Sequence, residues 1–333
     1  MLIPQLVRAQ IDRFVTKWPG FQKSSENAAK MLHQTVLESG ETGREAVDML
    51  HGKQVGHPLH PILTDVTIGS WLLGTLFDVV SLVTLSRSSR KAANRLITLG
   101  TITAIPTALA GLADYSTIKQ KAAGYGALHG IINTIAFMFY FRSVQARFDN
   151  HVIRSVVYSF VGLGFATLSA WLGGELVYHH RMGVNHAEDE PIADWTPALP
   201  AGEMAEGERR RVEVNGQPVL LYRFEGNTYA IGAVCSHLGG PLEEGEMVYD
   251  GYCVQCPWHD SVFDMRDGSV VHGPATFEEP YYETRIHNGN IEIRRWSITM
   301  ENEDERLMVE PRRENGGGRG EEIEPEANTN LQM

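Results

Sequence analysis

The chain has 333 residues, 43% of them hydrophobic and 21% charged, with a net charge of −12 and three cysteines. So acidic a chain repels phosphate, which excludes a nucleic-acid partner. Three cysteines clustered between positions 235 and 256 make no disulfide framework and point to metal instead.

The charge is unevenly spread. Residues 1–181 hold 17 Lys and Arg against 11 Asp and Glu, a net of +6. Residues 182–333 hold 12 against 30, a net of −18, without a single lysine. A break this sharp predicts a domain boundary near 182. The opening MLIPQLVRAQIDRFVTKWPG lacks a basic start, an apolar core and a small-residue cleavage site, so no cleaved targeting segment is expected.

Residues 1–18 place Leu2, Ile3, Leu6, Val7, Ile11, Phe14 and Val15 at helical spacing, an amphipathic helix. It suits either a membrane surface or its own domain. Residues 20–56 read as polar helix, completing an amino-terminal segment over 1–56. Four apolar segments follow at about 62–84, 96–113, 125–141 and 155–178, each near the twenty residues a bilayer requires. They define a four-helix transmembrane domain over 57–181. Gly69, Gly74, Gly100, Gly162 and Gly164 are expected to let helices approach closely, and Pro106 to kink the second span.

Four spans put both termini on one side. The loops on the other side, 86–95 and 142–154, carry seven Arg and Lys, which by the positive-inside rule places the termini outside.

Residues 182–200 read as an acidic, proline-bearing linker. Residues 201–298 alternate short apolar runs with turns such as EGN and HNGN, an all-β pattern. Residues 299–333 are charged and glycine-rich, and a disordered tail is expected.

The β region carries CSHLGG at 235–240 and CVQCPWHD at 253–260. Cys235-x-His237 is followed, after eighteen residues, by Cys256-x-x-His259. Two such pairs suit a single tetrahedral zinc, or a diiron cluster with thiolates on one iron and imidazoles on the other. The tight loops Leu238-Gly239-Gly240-Pro241-Leu242 and Pro257-Trp258, with no helix between the pairs, favour the cluster. Cys253 alternates along a strand before the second loop and reads as an inert buried thiol.

CSHLGGPL, CPWHDSVFD and HGPATFEEPYYETRI resemble the cluster motifs of Rieske [2Fe–2S] ferredoxins and oxygenase domains, over about 195–298. The resemblance implies an antiparallel β fold with a small cluster-binding subdomain. It implies that Cys235 and Cys256 ligate the inner iron, and that His237 and His259 ligate the outer iron near the surface. Leu238, Gly239, Pro257, Trp258, Ser261, Phe263, Gly273 and Pro274 become the cluster's environment, with Gly273-Pro274 as the covering loop. Glu278 departs from the proline frequent in the ferredoxins. The extra cysteine pair of cytochrome bc Rieske proteins is replaced by Gly240 and Trp258, and their sulfur-bonding tyrosine by Phe263. A lost donor leaves more charge on sulfur and lowers the potential. No oxygenase iron site is visible, so the domain reads as an electron-transfer component rather than a complete enzyme, with no catalytic residue of its own.

The first half resembles an uncharacterised bacterial four-helix membrane family with a His-Pro-x-His-Pro start, over about 50–185. The matching residues are His57, His60, Gly111-Leu112-Ala113-Asp114 and His129. With Glu175, His179 and His180 they lie at the span ends nearest the β domain, and intramembrane ionisable groups are functional candidates. Three readings fit: a haem b between helices, a quinone pocket with His129 and Asp114 moving protons, or interfacial side chains that snorkel. Asp78 is expected near the far interface, and Asp65 to join the polar cluster.

The expected function is that of a membrane-anchored Rieske protein carrying single electrons between partners. The partners are a reductase, an oxygenase component or the quinone pool, alongside the lipid bilayer. The alternatives are a haem- or quinone-binding oxidoreductase subunit with the cluster as outlet, and a membrane-tethered redox sensor. Cluster assembly in the cytosol, with no twin-arginine signal, opposes the charge count and leans the Rieske domain to the cytoplasmic face.

Overall fold

The computed structural model describes residues 2–118, 121–187 and 191–295. The expected disordered tail lies outside the described residues, as do residues 188–190 of the acidic linker.

Helix α1 (Leu2–Lys17) packs on its own domain. Val15 is buried among Tyr125, Ile132 and Leu172, Arg8 forms a two-pronged ion pair with Glu175, and Tyr125 donates to Asp12 at 2.7 Å. Helices α2 (Pro19–Glu38) and α3 (Gly40–His51) form the polar segment. Gly52 ends α3 at φ +99°, where a Cβ would stand 2.0 Å from the His57 carbonyl, so only glycine makes this turn.

Four helices are long and apolar enough to cross a membrane: α4 (Leu59–Thr84), α5 (Arg87–Ser116), α6 (Lys121–Phe148) and α7 (Val152–Gly174). A five-residue π-helical turn, Glu175–His179, continues the last. The first half is thus a four-helix membrane bundle. Small residues bring the helices together: Gly74 lies under Ile97, Gly100 against Trp71 and Gly162 against Tyr140. Gly69 and Gly164 face open space, contrary to expectation. Trp71 stacks on Tyr140 at 4.1 Å in the core. Pro106 sits inside α5 without ending it.

The helices run further than the apolar pattern indicates, because polar side chains near their ends pair inside the bundle. Arg147, expected in a loop, is part of α6 and grips buried Asp78 at 2.5 and 3.0 Å, and its two terminal nitrogens also donate to Asn94 and Ser159. One of the seven charges behind the topology argument is therefore neutralised internally. Asp65 is exposed on α4 rather than gathered with other polar groups.

The second half is all-β. One antiparallel sheet has the order β1-β10-β9-β4-β3-β2, and a smaller one β5-β6-β7-β8. The strands are β1 (Ile192–Pro200), β2 (Arg209–Val214), β3 (Gln217–Phe224), β4 (Asn227–Gly232), β5 (Glu246–Val248), β6 (Cys253–Gln255), β7 (Val262–Asp264), β8 (Val270–His272), β9 (Tyr281–His287) and β10 (Asn290–Arg295). Strand β1 corrects the expected linker over 182–200: its last nine residues pair with β10. Its prolines, 197 and 200, are tolerated because β1 is an edge strand. The small sheet shares one core with the candidate ligands: Leu242, Val254, Phe263 and Met265 pack with Cys235 and Cys256.

Candidate metal centre

The two candidate loops follow β4 and β6 and share one backbone plan. In the first, the N–H of Cys235 donates to Gly240 O and the N–H of Gly239 returns to Cys235 O, both at 2.8 Å. In the second, Cys256 N–H donates to Ser261 O at 2.7 Å and Asp260 N–H returns to Cys256 O at 3.1 Å. Each loop therefore closes on its own cysteine and presents a histidine. The positive φ this requires falls on Gly239 (+76°) and Asp260 (+62°).

The loops face each other. The His237 and His259 rings meet edge to face with centroids 4.9 Å apart, and Cys235 and Cys256 are both 1% exposed. A Cβ on Gly240 would stand 2.7 Å from Cys256 Sγ, which is why no larger residue fits there. The Cys256 thiol is pulled down to about 7, first by a bond with Cys235 and then by the N–H groups of Trp258 and His259. Cys235 is pushed up by the same bond and by burial. Burial, then neighbouring His259, lowers the His237 pKa and keeps that imidazole neutral.

The donor set fits a two-iron cluster better than a lone ion. His237 Nδ1 is buried with no hydrogen-bond partner, an atom that requires a ligand. Yet among the described residues no three His, Cys, Asp or Glu side chains gather round one point, as a zinc site needs. Ser261 is fully buried and its Oγ accepts from Ala275 N–H at 3.0 Å. Phe263 is fully buried, Pro274 is buried and Gly273 half-buried, while Trp258 is 46% exposed. Leu238 is half-buried and Pro257 exposed. Cys253 is buried on β6, and burial pushes its thiol up to about 11.

The imidazole edge is largely covered, with His237 half-buried. His259 is 3% exposed, because α2, α3 and the end of α5 pack over it. His33 meets Asp260 at 2.8 Å. Asp48 meets His272 Nδ1 at 2.8 Å and accepts the Gly273 N–H at 2.9 Å. Lys53 donates to Val271 O. Thr117 Oγ1 is 3.5 Å from His237 Nε2. A cavity of about 20 Å³, room for one water, is left between His51, Thr117, His259 and Asp260. Sequence reasoning missed these contacts; Arg44, Asp48 and His51 on one face of α3 were the available signal.

A family model described as Rieske [2Fe-2S] domain matches residues 194–283. The ferredoxin subunit of anthranilate 1,2-dioxygenase from Burkholderia cepacia is 32% identical over 102 residues, 31% of this chain and 93% of that protein. The chain belongs to the Rieske [2Fe-2S] domain family. A Rieske domain implies a [2Fe–2S] cluster. Residues 56–186 match a second model, a predicted membrane protein family called DUF2231. A cholesterol 7-desaturase from Hemicentrotus pulcherrimus is 30% identical over 110 residues, 32% of this chain, but the match spans only 22% of that protein's length. The solved ferredoxin of carbazole 1,9a-dioxygenase from Nocardioides aromaticivorans IC177 aligns over 31% of this chain and all of its own, at 22% identity and a TM-score of 0.30.

The seven candidate residues of the membrane half do not form one site. Asp114 pairs with His51 Nδ1 at 3.0 Å, and Glu175 with Arg8. His180 lies 4.8 Å from the Tyr125 ring and 4.9 Å from His179, which is exposed. His57 is exposed, with its ring 6.1 Å from Phe277 of the Rieske domain. His60 and His129 meet across two helices, with ring centroids 6.4 Å apart.

Proposed function

We propose that this protein is a membrane-anchored Rieske electron carrier whose cluster serves its own membrane half. Cys235 and Cys256 would hold one iron, and His237 and His259 the other. When bound, the cluster supplies a one-electron couple. Ser261 orders the covering loop through Ala275 N–H; ligation takes cysteine as thiolate and imidazole as the neutral ring, and the lowered Cys256 thiol and the neutral His237 ring lie in that direction. The ferredoxin relatives belong by name to dioxygenase systems, which supports electron carriage between a reductase and an oxidising partner.

The observation that carries this reading is the covered imidazole edge. A carrier serving only diffusing proteins would leave that edge open, whereas here Thr117, at the end of a membrane helix, abuts His237. The membrane end of the molecule, and the quinone pool it can reach, is the favoured exchange partner. Low-temperature EPR of the dithionite-reduced protein tests the centre: the low average g of mixed nitrogen–sulfur ligation is expected, and a colourless or zinc-loaded protein would sink the assignment.

The haem b reading is weaker. His129 Nε2 already receives the Asn133 amide at 3.0 Å, so axial ligation there would have to displace it. An absorbance spectrum with a sharp reduced haem band would reinstate it. The Rieske domain is assigned to the cytoplasmic face on the cofactor-assembly argument. A tag at Asn330 that protease removes from intact cells would reverse that placement.

A further inference from the structure

We propose that His60, His129 and Asn133 form a binding site for a hydroquinone-class ligand drawn from the bilayer. The purpose of the site rests on the electron-carrier reading; its binding chemistry does not.

His60 lies in the first turn of α4, and His129 faces it from α6, the rings nearly perpendicular at 81°. Each ring is oriented by a main-chain carbonyl. His60 Nδ1 is 2.9 Å from Thr107 O, and His129 Nδ1 is 2.9 Å from Ser169 O. A carbonyl only accepts, so both Nδ1 atoms carry the proton. A neutral imidazole has one donor, so both Nε2 atoms are acceptors. The Asn133 amide satisfies Nε2 of His129, which leaves Asn133 Oδ1 and Nε2 of His60 as the acceptors of the group.

The glycines opposite confirm that the rings are seated by shape. A Cβ on Gly111 would stand 2.8 Å from His60 Cε1, and one on Gly173 would stand 3.3 Å from His129 Cε1. His60, His129 and Asn133 are each only partly buried, so a ligand can reach them. The same turns of the bundle expose Ile62, Leu112 and Ile131 outward, where lipid lies.

Two acceptors in an apolar setting select a ligand that donates. A hydroquinone offers two hydroxyl groups, whereas the oxidised quinone offers only carbonyl acceptors and would be refused. No third metal-ligating group joins the histidines among the described residues, so a cation is not the better occupant. The position also suits the cluster. Gly111 and Thr117 are six residues apart, roughly 9 Å along the helix axis at about 1.5 Å per residue, and Thr117 touches the His237 ring edge.

The test uses the full-length protein in lipid nanodiscs, with decylubiquinol and decylubiquinone as probes. Saturable binding of the quinol, at least about tenfold tighter than the quinone, is expected. His60→Leu and Asn133→Leu should each weaken it about tenfold, the worth of one hydrogen bond out of water. Equal affinity for both redox forms, or unchanged affinity in both variants, would overturn the site. Should the variants misfold, wild-type protein labelled with 15N-histidine decides: quinol must move a histidine Nε2 resonance, and no such shift overturns the proposal. Quinol binding without a Rieske EPR signal would defeat the electron-carrier reading and spare the site. The signal without binding would do the opposite.

Discussion

Asp48 on α3 accepts the backbone N–H of Gly273 at 2.9 Å, fastening the loop that covers the candidate cluster to a helix more than two hundred residues earlier. Its other oxygen meets His272, and all three groups lie largely out of water. Asp48→Ala leaves both donors without an acceptor and should cost about 2–3 kcal/mol. Asp48→Asn, which keeps one carbonyl, should cost less. Thermal melts followed by cluster absorbance measure both, and equal melting of wild type and Asp48→Ala would refute the fastening role.

Phe263, which the resemblance to cytochrome bc Rieske proteins aligns with a sulfur-bonding tyrosine, is fully buried in the core that holds both thiols. The potential should therefore lie in the lower part of the roughly −150 to +300 mV Rieske range. Phe263→Tyr should raise it by on the order of 40 mV, about 1 kcal/mol of preferential bonding to the reduced state at about 59 mV per tenfold. A redox titration that finds the variant at or below wild type contradicts this account.

Glu279 is buried beneath the first loop, where its Oε1 accepts the Ser236 N–H at 2.6 Å. Burial pushes its carboxyl up to about 8, and the Ser236 bond only partly offsets that. A raised carboxyl pKa means that the folded state holds its proton more tightly than the unfolded chain. Its stabilisation is complete below the ordinary carboxylate range and is lost as pH rises through about 8. Denaturation midpoints should fall across that window, and Glu279→Gln should flatten the profile.

Asp78 and Arg147 bind each other inside the bundle with side chains only 2% and 6% exposed. Removing one partner strands a buried charge, so Asp78→Ala should destabilise the membrane half by about 3–5 kcal/mol. The double change Asp78→Leu with Arg147→Met should recover most of that loss. Unfolding in detergent micelles would show whether the double variant outlasts the single one.

Much of this architecture could be read from residue order. Apolar length gave the four spans, and the spacing of Cys235, His237, Cys256 and His259 gave the loops that close on their own cysteines. What stayed hidden was partnership across long separations. Arg147 looked like a loop charge because nothing local tells it from one; Asp78, 69 residues away, makes it structural. Residues 192–200 looked like linker because prolines suppress strand signals, yet an edge position tolerates them. The covered imidazole edge depends on α2 and α3, whose bonds to the Rieske domain come from polar side chains, His33 and Asp48, with partners more than two hundred residues away.

The lid formed by α2 and α3 has a consequence for maturation. Iron and sulfide must reach the thiols before His33 meets Asp260, because afterwards the approach from that side is closed. Apoprotein locked shut by a bridge between His33→Cys and Asp260→Cys should take up iron only after that bridge is reduced.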